Sequence, residues 1–157
     1  MLSPSAPRPL VLDTNVVLDW LVFRDPSAEA LPRQLATGLW QWHVTAEMRQ
    51  ELEHVLTYAS ISAWTPDPVA VFAAWDRSAR LVAAPVAALA QPLRCTDPDD
   101  QKFIELGLAL GGATLLSRDR AVLKLARRAR PLGLTITTLQ GWSATLSRQG
   151  SEQMSGS

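Results

Sequence analysis

The sequence has very little of three things that many protein classes need: cysteine, histidine and net charge. Cys95 is the only cysteine, so neither an internal disulfide nor a zinc site built on several thiolates is possible. His43 and His54 match no zinc-binding spacing. Fifteen basic residues balance fifteen acidic ones, which argues against a protein that coats nucleic acid through bulk positive charge.

Long apolar runs are also missing. No stretch approaches the roughly 18 apolar residues of a membrane span. Pro4, Pro7 and Pro9 interrupt the start, where a signal peptide would have its apolar core. We therefore expect a cytoplasmic protein without a membrane segment. With 157 residues, 47% of them hydrophobic, the chain is long enough for one domain with a buried core.

What the chain does contain is an alternation of short apolar runs with helical patterns. The runs predict strands at 9–12, 40–44, 81–84, 113–116 and 134–137, with a loop through Pro85 and Pro92. Helical spacing and capping residues predict helices at 16–22, 27–37, 45–59, 66–79, 98–110 and 120–130. Strands that alternate with helices indicate an α/β protein with a parallel sheet covered on both faces. We expect one domain from 9 to 146, with flexible tails at 1–8 and 147–157.

Acidic residues recur where such a fold brings strand ends together. Asp13 directly follows the first predicted strand, and Asp119 follows the strand at 113–116 after a two-residue gap. Parallel sheets bind their ligands outside the carboxyl ends of the strands. Asp100 shares the inward face of its helix with Phe103, and Glu51 lies beside the apolar face of another helix.

Carboxylates gathered at one edge repel each other unless cations lie between them. The sequence offers no cluster of lysine, cysteine or histidine for that purpose. Ligation by oxygen alone suits Mg²⁺ or Mn²⁺, ions that acidify bound water and assist phosphoryl displacement.

Each acid also has a simpler interpretation. Asp97 precedes Pro98 and is a natural helix N-cap, and Asp99 suits the positive end of the same helix. Asp119 could cap the helix that follows it, and Glu51 could be an ordinary surface helix residue. Asp13 is the exception, because an aspartate directly after a buried strand needs hydrogen-bond or cation partners.

Four motifs resemble those of the PIN-domain nucleases. Residues 11–16 (VLDTNV) resemble the opening motif, an apolar strand followed by Asp-x-Asn. Residues 45–52 (TAEMRQEL) resemble the helix that carries the second acid, which corresponds to Glu51 here. Residues 97–106 (DPDDQKFIEL) are similar to the Asp-rich motif of the toxins of toxin–antitoxin pairs, and residues 115–119 (LLSRD) resemble the closing motif. The resemblance extends from about residue 9 to residue 138.

This resemblance implies a Rossmann-like α/β/α sandwich with a mainly parallel central sheet. It implies a Mg²⁺- or Mn²⁺-dependent ribonuclease that cleaves RNA internally, a homodimer, and a small antitoxin that neutralises it. Asp13, Glu51, Asp100 and Asp119 would be catalytic, with the three aspartates as metal ligands.

The resemblance also implies supporting roles and leaves alternatives. Asn15 and Ser117 would orient the carboxylates through hydrogen bonds. Asp97 or Asp99 could replace Asp100 as the third acid, and Glu47 could replace Glu51.

A basic stretch follows the last motif and predicts where a phosphate backbone could lie. Its proposed RNA-binding members are Arg118, Arg120, Lys124, Arg127 and Arg128. A solvated helix face, or a surface for an acidic partner such as an antitoxin, is an equally good interpretation. Most of the six tryptophans fit core packing, and Trp20, one turn past the first motif, is the candidate for base stacking.

Two other functions remain in view. A phosphatase of the haloacid-dehalogenase type also has Asp after its first strand, but it needs a second Asp where this chain has Asn15. The stronger alternative is a catalytically inactive PIN-like module that binds RNA or a protein.

Overall fold

Five parallel strands form the centre of the computed structural model, which describes residues 6–86 and 93–155. They are β1 (Arg8–Leu12), β2 (Trp40–Val44), β3 (Ala79–Leu81), β4 (Thr114–Leu116) and β5 (Thr135–Thr137). Their order in the sheet is β3-β2-β1-β4-β5, with every neighbouring pair parallel. The predicted α/β fold is confirmed. Residues 1–5 and 156–157 of the predicted tails, and Pro92 of the predicted loop, lie outside the described residues.

Helices flank the sheet. They are α1 (Thr14–Leu21), α2 (Ala30–Ala36), α3 (Ala46–Val55), α4 (Ala59–Ser62), α5 (Pro68–Ser78), α6 (Gln101–Leu110), α7 (Arg120–Leu123), α8 (Ala126–Ala129) and α9 (Leu139–Ser155). Short 3-10 turns occupy Pro26–Glu29, Pro98–Asp100 and Arg130–Leu132. None of these helices is long and apolar enough to cross a membrane.

Capping side chains set two helix starts where the sequence predicts them. Thr45 Oγ1 accepts a hydrogen bond of 3.4 Å from the Met48 amide and begins α3. Asp97 Oδ1 accepts one of 3.0 Å from the Asp99 amide and begins the turn that leads into α6. Gly111, with φ of +69°, ends α6 in a backbone conformation that glycine adopts at low cost.

The single helix predicted at 120–130 is wrong. The chain forms α7, α8 and a 3-10 turn instead, and the Leu125 amide bonds to the Val122 carbonyl three residues back. This tight turn lets Val122, Leu125 and Ala129 all face the core, where each is at most 1% exposed. Burial of these side chains therefore overrides the continuous helix that their propensities favour.

Three other boundaries differ from the prediction. The third strand lies at Ala79–Leu81 rather than 81–84, because its pairing with β2 begins at Ala79. The helix expected at 27–37 starts as a 3-10 turn capped by Asp25, whose carboxylate accepts from the Ser27 amide. The sequence analysis missed α9, which continues to Ser155 through most of the segment predicted as a flexible tail. After Leu146 the sequence of this helix is polar, and its apolar residues do not recur at helical spacing. The sequence therefore predicts a tail there rather than a helix.

Buried apolar side chains lie on both faces of the sheet and form the core. Leu10, Val11 and Leu12 are successive residues of β1, so their side chains point to alternate faces, and each is at most 2% exposed. Trp42 is fully buried and makes edge-to-face contacts with Trp20 and Trp75, at ring-centroid distances of 5.5 and 4.8 Å. Core packing therefore explains Trp42, as the sequence predicts.

Replacing Trp42 by alanine is expected to lower the free energy of unfolding by about 3–5 kcal/mol, because a large buried ring leaves a cavity. Urea denaturation measures the loss. Trp64→Ala is the matched control: Trp64 is 58% exposed and contacts Phe23 edge to face, so its loss should be about 1 kcal/mol. If the two variants lost the same free energy of unfolding, core packing would not explain the role of Trp42.

Candidate active site

The candidate site lies where two neighbouring strands end at the same edge of the sheet. Asp13 follows β1, and its amide donates a hydrogen bond of 2.9 Å to the Leu116 carbonyl at the end of β4. Ser117 follows β4, and its amide bonds at 3.1 Å to the Thr137 carbonyl of β5. After β1 the chain adds β2 and β3 on one side of it, and then crosses back to add β4 and β5 on the other side, so the strand order reverses at β1. Ligands of open α/β sheets bind in the crevice that such a reversal creates.

Asp13 occupies the N-cap position of α1, yet its side chain makes no capping hydrogen bond. The carboxylate instead turns into the crevice, 3% exposed, where Oδ2 accepts a hydrogen bond of 2.7 Å from Ser117 Oγ. Ser117 is fully buried, and its hydroxyl oxygen also accepts from the Asp119 amide at 3.0 Å. One hydroxyl therefore links two of the predicted acids, in keeping with its predicted supporting role.

Asp97, Asp100 and Asp119 form a carboxylate cluster. Each offers one oxygen, and these oxygens all lie within 4.8 Å of one another. Asp97 and Asp119 also use Oδ1 to cap the turns that they begin, Asp119 by accepting from the Ala121 amide at 2.8 Å. A carboxylate has two oxygens, so capping leaves the second one free. The capping and site interpretations of these residues are therefore compatible.

Asp100 is the most constrained member of this cluster. Its side chain is buried, and Oδ2 has no hydrogen-bond partner among the described residues. Burial, the charge of Asp13, a side-chain hydrogen bond with Asp119 and the charges of Asp119 and Asp97 raise its pKa to about 8. Asp100 thus combines a buried oxygen that has no hydrogen-bond partner with carboxylate neighbours, and a hard cation bound among them would supply the missing positive charge. The donor set therefore fits Mg²⁺ or Mn²⁺.

Asp13 is not part of the group whose oxygens lie within 4.8 Å, but it belongs to the same electrostatic site. Its charge is the largest coulombic contribution to the raised pKa of Asp100. Burial also raises the pKa of Asp13, against the hydrogen bond from Ser117, and the charges of Asp119 and Glu51 add to the rise. The predicted metal-ligand role of Asp13 stays a prediction.

Glu51 has partners that the sequence analysis did not foresee. Thr14 Oγ1 donates to Oε2 at 2.5 Å, and Lys102 Nζ lies 3.1 Å from Oε1. The sequence indicated no cluster of cations near the acids, yet one lysine is present. Its position two residues after Asp100, on the same turn, was the available signal. Glu47 is exposed.

The remaining predicted residues lie around the cluster or on the basic segment that follows it. Asn15 Oδ1 accepts from the Arg118 amide at 3.4 Å, and a backbone hydrogen bond from Asn15 lowers the pKa of Asp13, so its supporting role stays a prediction. The Arg118 side chain pairs with Asp19 at 3.0 Å, away from the cluster acids. Asp99 is exposed, and its amide donates a hydrogen bond to Asp97 Oδ1.

The basic residues of the predicted RNA-binding segment are exposed, and none of the following four forms an ion pair within residues 6–86 and 93–155: Arg120, Lys124, Arg127 and Arg128.

The all-parallel sheet therefore carries buried carboxylates at its switch point, where open α/β sheets bind their ligands. A family model described as a PIN domain matches residues 9–121, and the chain therefore belongs to the PIN-domain family. Members of this family are generally nucleases that use divalent metals. A comparison with curated proteins finds no match.

Asp100→Asn is expected to flatten the pH dependence of stability of the metal-free protein. The pKa of about 8 in the folded state exceeds the ordinary 3.8, so the unfolded chain loses its proton first. Wild-type stability therefore falls as pH rises between these values. Thermal unfolding in a chelator at about pH 5 and about pH 9 measures this. At the higher pH the variant should melt at least about 3 °C above wild type.

Asp99→Asn is the control for this experiment, since Asp99 is an exposed acid of the same turn. This variant should keep the wild-type pH dependence. If the unfolding temperature changes equally with pH in wild type and in Asp100→Asn, Asp100 does not titrate with a raised pKa.

Proposed function

We propose that this protein is a Mg²⁺- or Mn²⁺-dependent endoribonuclease that hydrolyses phosphodiester bonds of RNA. The observation that carries the proposal is the unpartnered, buried oxygen of Asp100 inside a carboxylate cluster at the switch point of the sheet. Burial of such a group is costly unless a positive charge compensates it. Membership of a nuclease family supplies the reaction class.

The ion would be held by Asp100 and Asp119, with Asp97 completing the cluster and Asp13 facing the same site from β1. When bound, a divalent ion acidifies water and neutralises the charge that develops on a phosphate. Asp119 is fixed by its cap of α7, and Asp13 by Ser117. These contacts hold the carboxylates in place before substrate arrives, which lowers the reorganisation needed for hydrolysis.

Asp13 has a further part in the proposed reaction. Ser117 orients this carboxylate through Oδ2, and we assign the carboxylate the task of taking a proton from water. In the hydrolysis the water oxygen forms a bond to phosphorus, the bond from phosphorus to the leaving oxygen breaks, and the leaving oxygen takes a proton from solvent water. Its raised pKa makes Asp13 a better proton acceptor than an exposed aspartate.

The RNA backbone is proposed to lie along the exposed basic residues of α7, α8 and their junction. Arg120, Lys124, Arg127 and Arg128 occupy this surface, which starts directly after Asp119. Arg118 contributes less, because Asp19 already pairs with it. A cytoplasmic setting follows from the proposed RNA substrate.

We also propose a homodimer and a small antitoxin as partners. What supports a protein partner is a groove beside α1, formed by two cavities of ≈ 440 and ≈ 590 Å³ that share Trp20, Leu21, Ala74 and Arg77. Trp20 lines both cavities and also packs edge to face against Trp42, and base stacking by Trp20 stays a prediction. Light scattering tests the dimer, and the neighbouring reading frame tests the antitoxin.

Asp13→Asn and Asp100→Asn are each expected to reduce cleavage of labelled single-stranded RNA by more than about 100-fold, because partners outside the ligand shell already cost about 10- to 100-fold. Cleavage by the wild type should need Mg²⁺ or Mn²⁺ and stop with EDTA. Glu53→Gln, which removes an exposed acid of the same helix as Glu51, should cleave like wild type when purified identically.

Two outcomes would change the proposal. Cleavage that survives in Asp100→Asn alone would move the third acid to Asp97 or Asp99. No cleavage of several RNAs, together with no gain in thermal stability from Mn²⁺, would favour the inactive binding module, since an ion that binds only the folded state must stabilise it.

Arg127→Gln combined with Arg128→Gln is expected to weaken RNA binding and its dependence on salt. Each lost phosphate contact should reduce the slope of log affinity against log salt by about 0.7 for a single strand. Titrations of labelled RNA in the Asp13→Asn background measure the slope. Arg33→Gln, an exposed arginine on α2, is the control, and an equal effect there would indicate nonspecific charge attraction.

A further inference from the structure

Lys102 places a fixed positive charge beside Glu51, one of the predicted site acids. It lies in the first turn of α6, and Nζ contacts Glu51 Oε1 at 3.1 Å. The same atom donates a hydrogen bond to the Asp99 carbonyl, and it lies 5.0 Å from the centre of the Phe103 ring. The side chain is only 15% exposed. An ammonium group with these contacts is held in place rather than free in solvent.

Glu51 is held from both sides. Lys102 engages Oε1, and Thr14, the first residue of α1, donates to Oε2. Three separate elements, α1, α3 and α6, meet at this carboxylate. The group of oxygens that can hold a metal ion includes Asp97, Asp100 and Asp119, but not Glu51. Of the predicted acids, Asp100 and Asp119 lie in the cluster and Asp13 lies outside it, whereas Glu51 is the one that pairs with a lysine in the described part of the chain.

Nuclease sites with two metal ions place a second ion beside the first, where it neutralises the substrate phosphate. A lysine that already occupies the glutamate side opposes a second divalent ion by like-charge repulsion. An ammonium group has three donors, and two of them are used by Glu51 and Asp99 in the part of the chain described. The third can bind a phosphate oxygen, which is the task of the second ion.

We propose that Lys102 takes the place of a second metal ion, so that the site binds one divalent ion per chain. Glu51 then acts as the positioning partner of Lys102 and not as a metal ligand. This inference rests on the proposed metal-dependent function and adds to it the number of ions and the role of a lysine that no motif singled out.

The test counts Mn²⁺ ions bound per chain on chelator-treated protein, by calorimetric titration with free Mn²⁺ followed by electron paramagnetic resonance. Wild type should bind one ion. Lys102→Met should bind two, because Glu51 loses its cation, and the double variant Lys102→Met with Glu51→Gln should return to one. Lys124→Met removes an exposed lysine and should still bind one ion.

Glu51→Gln alone provides a second measurement that does not depend on the folding of Lys102→Met. This variant should still bind one ion, with an affinity changed less than about tenfold, below the effect typical of outer-shell partners. Two ions in wild type that fall to one in Glu51→Gln would overturn the inference, as would a single ion in folded Lys102→Met. No ion bound by wild type would refute the proposed metal-dependent function itself.

Discussion

Repulsion between buried carboxylates is the constraint on which the candidate site depends. Asp13 and Asp100 are both less than a tenth exposed, and the charge of each acid opposes ionisation of its neighbours. Such an arrangement lowers stability unless one carboxyl keeps its proton or a cation lies among them. The rest of the structure around the crevice either fixes these carboxylates or supplies positive charge to them.

The sheet order brings the carboxylates together. β1 and β4 are hydrogen-bonded neighbours although about 100 residues of sequence separate them, as the register of Leu12 with Leu116 shows. Asp13 and Ser117 follow directly, so the end of one strand supplies the acid and the end of the other supplies the hydroxyl that orients it. The two caps, Asp97 and Asp119, then add oxygens that belong to helix starts.

This double use of capping residues explains why single residues were ambiguous in the sequence. A capping pattern is local, and it was correct for Asp97 before Pro98 and for Asp119 before α7. Whether a capping carboxylate also faces other acids depends on packing between elements. Only the geometry shows that both caps share a cluster with Asp100, which has no capping hydrogen bond.

The sequence alone determined the α/β alternation, the strand ends at Asp13 and near Asp119, and the inward face of Asp100, because strand and helix periodicities are local properties. Tertiary structure decided the break of the basic segment at Leu125, where core burial overrides helix propensity. It also decided that Lys102 pairs with Glu51 from another helix. A contact between residues 51 positions apart leaves no periodic trace in a single sequence, so folding alone brings these charges together.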